Sequence, residues 1–203
     1  MEKETINCEN CPTHNPTLKC CTFYPFLPNY LVGAVLKSEL PGRGVVYQLL
    51  KEKKYTLPIG IVAPPAYQKL FYDTQKEGFG ESKDLLCPFY DKINNNCGVW
   101  EYRSSECSTY FCDALLTKDT RKMWKDLRSK LYKKELAFSQ DVMLHSGYSN
   151  NEIQDNLNEI KREAEDCEDK WSLNTSEAKS FWHHVTDYED YYISAFNYVN
   201  SVR

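Results

Sequence analysis

Eight of the nine cysteines in this 203-residue chain fall in two stretches, Cys8 to Cys21 and Cys87 to Cys112, and that distribution limits the fold more than any other feature. A chain of this length buries a core without covalent staples. Its cysteine content, about 4%, is well below that of a small disulfide scaffold. The odd total also leaves at least one thiol outside any intramolecular pairing. The N-terminal text MEKETINCENC has no apolar h-region and no small-residue cleavage site, which argues against a secretory signal and for a cytoplasmic location. Thiols there stay reduced, and gathered cysteines serve metal binding or redox chemistry rather than structural pairing.

Charge and hydropathy exclude other classes. The formal net charge is −4, with acidic and basic residues mixed, so no nucleic-acid partner is expected. The one basic stretch, Lys118 to Lys134, interleaves Asp119 and Asp126 on a helical pattern and reads as a solvated helix face. No apolar run approaches the ~18 residues of a membrane span, and Tyr30–Leu36 and Ile59–Ala63 are core-sized, so no membrane partner is expected. A protein partner or substrate is left unidentified.

The chain divides by composition near residue 115. Residues 1–115 are rich in proline, cysteine and turn signals and predict an irregular cysteine-rich metal-binding module. Residues 116–203 predict a C-terminal helical bundle packed with it as one domain, so the fold class is mainly α. Leu31, Val32, Val35 and Leu36 face inward on a short helix after Pro28, ended by Pro41 and Gly42. Val45 to Lys54 suits a second helix, and Thr56 to Val62 a strand. Pro64 and Pro65 open a helix carrying Tyr67, Leu70 and Phe71, closed by Gly78 and Gly80. Asn94, Asn95 and Asn96 mark a turn.

Further on, Trp124, Leu127, Leu131 and Leu136 line a helix from Asp119 or Thr120 that ends before Gly147. Ser149 and Glu152 have capping-box spacing for a helix facing inward through Ile153, Leu157, Ile160 and Ala164. Phe181, Val185, Tyr188, Tyr192, Ala195 and Val199 form the stripe of a last helix from about Ser176.

Cys8 and Cys11 form a C-x2-C pair, a spacing that aims both sulfurs at one centre. Cys20 and Cys21 follow, and Cys87, Cys97, Cys107 and Cys112 add four thiols; this donor set suits soft metal ligation. Tetrahedral zinc with Zn–S bonds of ~2.3 Å needs sulfurs roughly 3.8 Å apart, which adjacent cysteines reach awkwardly. An iron–sulfur cube presents its corners further apart and accepts one or both of the doublet. A cluster is therefore favoured, 4Fe–4S first, with zinc as the alternative and one centre or two left open.

The arrangement resembles the YkgJ-type cysteine-cluster family, described as a zinc- or iron-chelating domain with a C-x2-C-x2-C-C signature. Cys8, Cys11, Cys20 and Cys21 match that signature. Cys87-Pro88-Phe89, Cys97, Tyr102-Arg103, Cys107 and Tyr110 to Cys112 fall on the family's downstream CPFL…C-x-IYE-x-RP-x2-C-x2-YPC region. The resemblance spans roughly residues 8–112. Eight residues, not two, separate Cys11 from Cys20, and Ser104 stands where the family usually has proline. Flagellin lysine methylases carry a similar module, so the resemblance implies functions from cluster binding to methyl transfer to lysine; no nucleotide or S-adenosylmethionine fingerprint accompanies it.

Among the remaining polar residues, Arg103 is a candidate cofactor-binding residue, donating to cluster sulfurs or a bound anion, or else pairing with a carboxylate. Tyr90, Trp100, Tyr102, Tyr110 and Phe111 are expected to form a dry shell around the centre. Cys167, three residues after Ala164, reads as a buried small hydrophobe. His14 reads as a loop residue. His183 and His184, as helix neighbours, should diverge rather than chelate together.

Overall fold

The computed structural model describes residues 21–74, 82–110 and 118–202, and the described chain is mainly helical. Leu27–Pro28 forms β1, and Asn29–Lys37 forms α1. Tyr30, Val32, Ala34, Val35 and Leu36 are all buried, as a helix apolar on most of its faces must be. It ends at Ser38, whose hydroxyl donates to the Val35 carbonyl. With the last turn satisfied there, Pro41 and Gly42 do not end α1 as expected but lead into α2, Gly42–Lys51.

The expected strand at Thr56–Val62 folds back on itself as β2, Thr56–Leu57, and β3, Gly60–Ile61; the sheet order is β1-β3-β2, antiparallel throughout. Three aromatic side chains from the C-terminal end satisfy its carbonyls. Trp182 Nε1 donates to Thr56, Tyr191 to Pro58 and Tyr192 to Leu57, at 2.9, 2.9 and 2.6 Å. The fully buried Asn29 adds a brace, its Nδ2 donating to the carbonyls of Pro58 and Ser139.

Helix α3, Pro65–Thr74, begins on its proline as expected. The proposed stop at Gly78 and Gly80 lies outside the described residues. From 82 to 110 the chain is mostly turns, with strands β4, Tyr90–Asp91, and β5, Asn96–Cys97, two short 3-10 turns, and α4, Ser105–Ser108. Helix α5, Lys118–His145, follows. Its expected apolar stripe is only partly covered, since Leu127 is exposed; its deepest residues are Ser139, Val142 and Met143. Lys122, Lys125, Lys130, Lys133 and Lys134 are exposed on it.

Helix α6, Asn150–Ile160, opens with the expected capping box of Ser149 and Glu152. It ends before Ala164, which sits in a 3-10 turn, so Cys167 is buried beside a loop rather than on a helix face. The single last helix is in fact two, α7, Thr175–Phe181, and α8, Tyr188–Val202. Asp187 starts the second: its side chain accepts from Asp190 N–H at 3.0 Å and its carbonyl from Tyr191 N–H at 3.1 Å.

The main helix contact is α1 against α8, so one core joins residues from both sides of position 115. Among the described residues no helix is long and apolar enough to cross a membrane.

Candidate metal centre

The described thiols of Cys21, Cys87, Cys97 and Cys107 come from segments far apart in sequence. Cys87 N–H donates to the Cys21 carbonyl at 2.7 Å, which fastens the first cysteine stretch to the second. From Cys87 the chain turns, with Tyr90 N–H donating to its carbonyl, and enters the β4–β5 hairpin. Asp91 builds the hairpin turn by accepting from the N–H groups of Ile93 and Asn94 and from Asn94 Nδ2. Asn95 takes φ 51°, a left-handed conformation asparagine tolerates. The register sets Cys97 opposite Tyr90.

The hairpin is pinned to the helical core through glycine. Gly42 N–H donates to the Gly98 carbonyl at 2.9 Å, and a Cβ on Gly42 would lie 2.4 Å from Val99 Cγ1. Cys107 rides on α4, whose first turn is capped from α5. Ser105 N–H and Oγ each donate to Glu135 at 2.6 Å.

Burial pushes the Cys107 thiol well up, with Cys87, Glu106 and Cys97 adding to the effect and Arg103 opposing it. The same charges reach the surrounding phenols: burial foremost, then Cys87, raises Tyr24 and Tyr67, and burial and Cys21 raise Tyr90. Cys21, Cys87, Cys97, Cys107 and Cys167 carry thiols, not disulfides. A thiol in such surroundings becomes a thiolate only when a cation compensates the charge.

Three buried hydroxyls around this region have no hydrogen-bond partner among the described residues: Thr22 Oγ1, Tyr24 OH and Ser104 Oγ. Buried polar groups are seldom left so. Thr22 follows Cys21, Ser104 accepts the Cys107 N–H through its carbonyl, and Tyr24 feels the charge of Cys87. Hydroxyl donors in this region would suit a thiolate-bound metal, whose sulfurs accept hydrogen bonds.

The aromatic shell differs from the expected one. Tyr90 is buried, but Trp100 and Tyr110 are exposed, and Phe111 lies outside the described residues. The apolar wall is made instead by Tyr24, Tyr67 and Phe89, with ring centroids 5.3 and 6.3 Å from Tyr24. Tyr24 and Tyr67 were missed because they lie outside the second cysteine stretch; the closeness of Tyr24 to Cys21 was the available signal. Arg103 stacks on Trp100 at 3.4 Å and donates to its carbonyl, and its positive charge acts on Cys107. Cys8, Cys11, Cys20, Cys112 and His14 lie outside the described residues. Cys167 hydrogen-bonds locally to the Glu163 carbonyl.

Comparison with family models, with curated proteins and with solved structures returns no match for this chain.

The described residues hold one set of three ligating side chains with donor atoms within 4.8 Å of one another, and it is not made of cysteines. It consists of Glu152, His183 and His184. The histidines were expected to diverge on a helix. They converge because α7 stops at Phe181 and both residues occupy the turn after it.

Two carboxyls at α4, Glu106 on it and Glu135 capping it from α5, set a pH dependence. Glu106 accepts from Phe26 N–H at 3.0 Å, and burial raises its carboxyl against that hydrogen bond and the charge of Arg128. Burial likewise raises Glu135. A raised carboxyl binds its proton more tightly in the folded than in the unfolded chain. Its stabilising contribution is present at pH below the ordinary carboxyl range and is lost as pH rises through the raised value. Glu106→Gln keeps an oxygen for Phe26 and removes that loss. Urea denaturation should find the variant more stable than wild type at neutral pH, with the gain shrinking toward about pH 4.

Proposed function

We propose that this protein binds an iron–sulfur cluster through cysteine thiolates, with ligands drawn from Cys8, Cys11, Cys20, Cys21, Cys87, Cys97, Cys107 and Cys112. The observation that carries the reading is the meeting of two cysteine stretches distant in sequence, tied by the backbone bond from Cys87 to Cys21; within the second stretch Cys107 also feels the charges of Cys87 and Cys97. When bound, the group supplies one-electron redox chemistry or a Lewis-acidic iron. The chain's residues supply its surroundings. Tyr24, Tyr67 and Phe89 exclude water, and the Thr22, Tyr24 and Ser104 hydroxyls are donors for sulfur. Arg103 contributes positive charge that favours the thiolate form.

The resemblance to the YkgJ-type family supports this reading. Ser104, at the family's proline position, has φ −63°, the value proline imposes, and Arg103 before it is extended, as a residue preceding proline must be. The backbone there fits the family's Arg-Pro step.

The rival is a structural zinc module for protein interaction, in which cysteine thiolates hold a tetrahedral zinc ion. Cluster-assisted methyl transfer to lysine rests on the flagellin-methylase resemblance alone. Protein purified without oxygen distinguishes the first two: iron with acid-labile sulfide and a brown colour is the expected result. Colourless protein whose stoichiometric zinc is lost on Cys87→Ser, and kept on His183→Ala/His184→Ala, establishes the rival.

A further inference from the structure

We propose that Glu152, His183 and His184 form a second metal site, for a divalent transition-metal ion such as zinc, built from oxygen and nitrogen donors and independent of the cysteines. Glu152 Oε1 lies 2.7 Å from His183 Nε2 and 3.8 Å from His184 Nε2. Ligand atoms around tetrahedral zinc, at bonds of ~2.0–2.1 Å, stand roughly 3.3 Å apart, and the observed separations bracket that value.

Two of the three donors are held by a hydrogen bond on the far side. Glu152 Oε2 accepts from both the N–H and the hydroxyl of Ser149 at 2.7 Å, so the capping box of α6 leaves Oε1 pointing at the histidines. His183 Nδ1 lies 2.9 Å from the Ser180 carbonyl. A carbonyl only accepts, so Nδ1 carries the hydrogen and Nε2 of a neutral ring presents its lone pair. A lone pair facing a carboxylate oxygen at 2.7 Å is tolerated only with a cation between them, either a proton or a metal. The contact from ring nitrogen to backbone carbonyl is the outer arrangement that metal-binding histidines use to fix their tautomer.

The histidine rings lie 3.8 Å apart and both meet the edge of Tyr148, which limits their rotation. Glu152 and His183 also line a groove of about 590 Å³ whose wall includes Asp155, Glu159 and Ser180. The groove admits an ion from solvent and leaves room for water or an anionic ligand at positions the protein does not fill. Glu159 is engaged by Arg162, and Asp155 adds the negative charge that favours a cation there.

The test adds zinc to the intact protein and follows imidazole nitrogen resonances by NMR, with calorimetry for stoichiometry. Zinc should shift Nε2 of His183 and His184 and leave His145 unchanged. Glu152→Gln preserves the capping box, because glutamine serves at that position, yet should weaken zinc binding about tenfold or more. The His183→Ala/His184→Ala variant should lose one equivalent of zinc while keeping whatever metal the cysteines hold. Unshifted histidine resonances with zinc in excess, unchanged stoichiometry in the double variant, or an affinity indifferent to Glu152→Gln would each overturn the proposal. The wild-type NMR result stands whether or not a variant folds, and it does not depend on the cysteine site.

Discussion

Gly33→Ala is expected to cost about 3 kcal/mol of folding stability, the upper end of what overpacking a well-packed core produces. Gly33 lies where α1 crosses α8. A Cβ there would sit 1.9 Å from the Tyr192 carbonyl oxygen, 2.6 Å from its carbon and 2.9 Å from Phe196 Cβ. The nearest atoms are backbone, so no rotamer change relieves them. Helix α8 must move away from α1, and that movement pulls Tyr192 from the Leu57 carbonyl and Tyr191 from the Pro58 carbonyl. Chemical denaturation measures the loss. A variant within about 0.5 kcal/mol of wild type, the range of an ordinary surface substitution, would mean that the helices do not approach as described.

The helical character of the chain was legible because its signals are local. Proline at the first turn of α3 and the Ser149–Glu152 pair at α6 act within one turn, and both elements start where these residues predict. The break between α7 and α8 was hidden because Phe181, Val185 and Tyr188 keep helical spacing across it; Asp187, capping a new helix, outweighs that continuity. The same misreading concealed the metal-ligand geometry of His183 and His184, since neighbours diverge on a helix but not in a turn. Tyr67 was illegible as a cysteine neighbour because only tertiary packing brings it to Tyr24.

The second large effect concerns the metal. Cys87→Ser and Cys97→Ser should each reduce metal content from near stoichiometric to a small fraction, because a hydroxyl is a poor soft ligand and stays protonated at neutral pH. Cys87 joins the two cysteine stretches through its backbone, which the substitution leaves intact, so circular dichroism should show the helices retained. Cys167→Ser serves as the control. That thiol is buried next to a loop and bonded to the Glu163 carbonyl, a role a serine hydroxyl can fill, and metal content should not change. Equal metal in all three variants would remove Cys87 and Cys97 from the ligand set.

X-ray absorption at the edge of the bound metal reads the ligand atoms themselves. Thiolate ligation predicts a first shell of sulfur, at ~2.3 Å for zinc, and an additional iron–iron distance if the centre is a cluster. A first shell made only of nitrogen and oxygen at ~2.0–2.2 Å would contradict cysteine ligation outright.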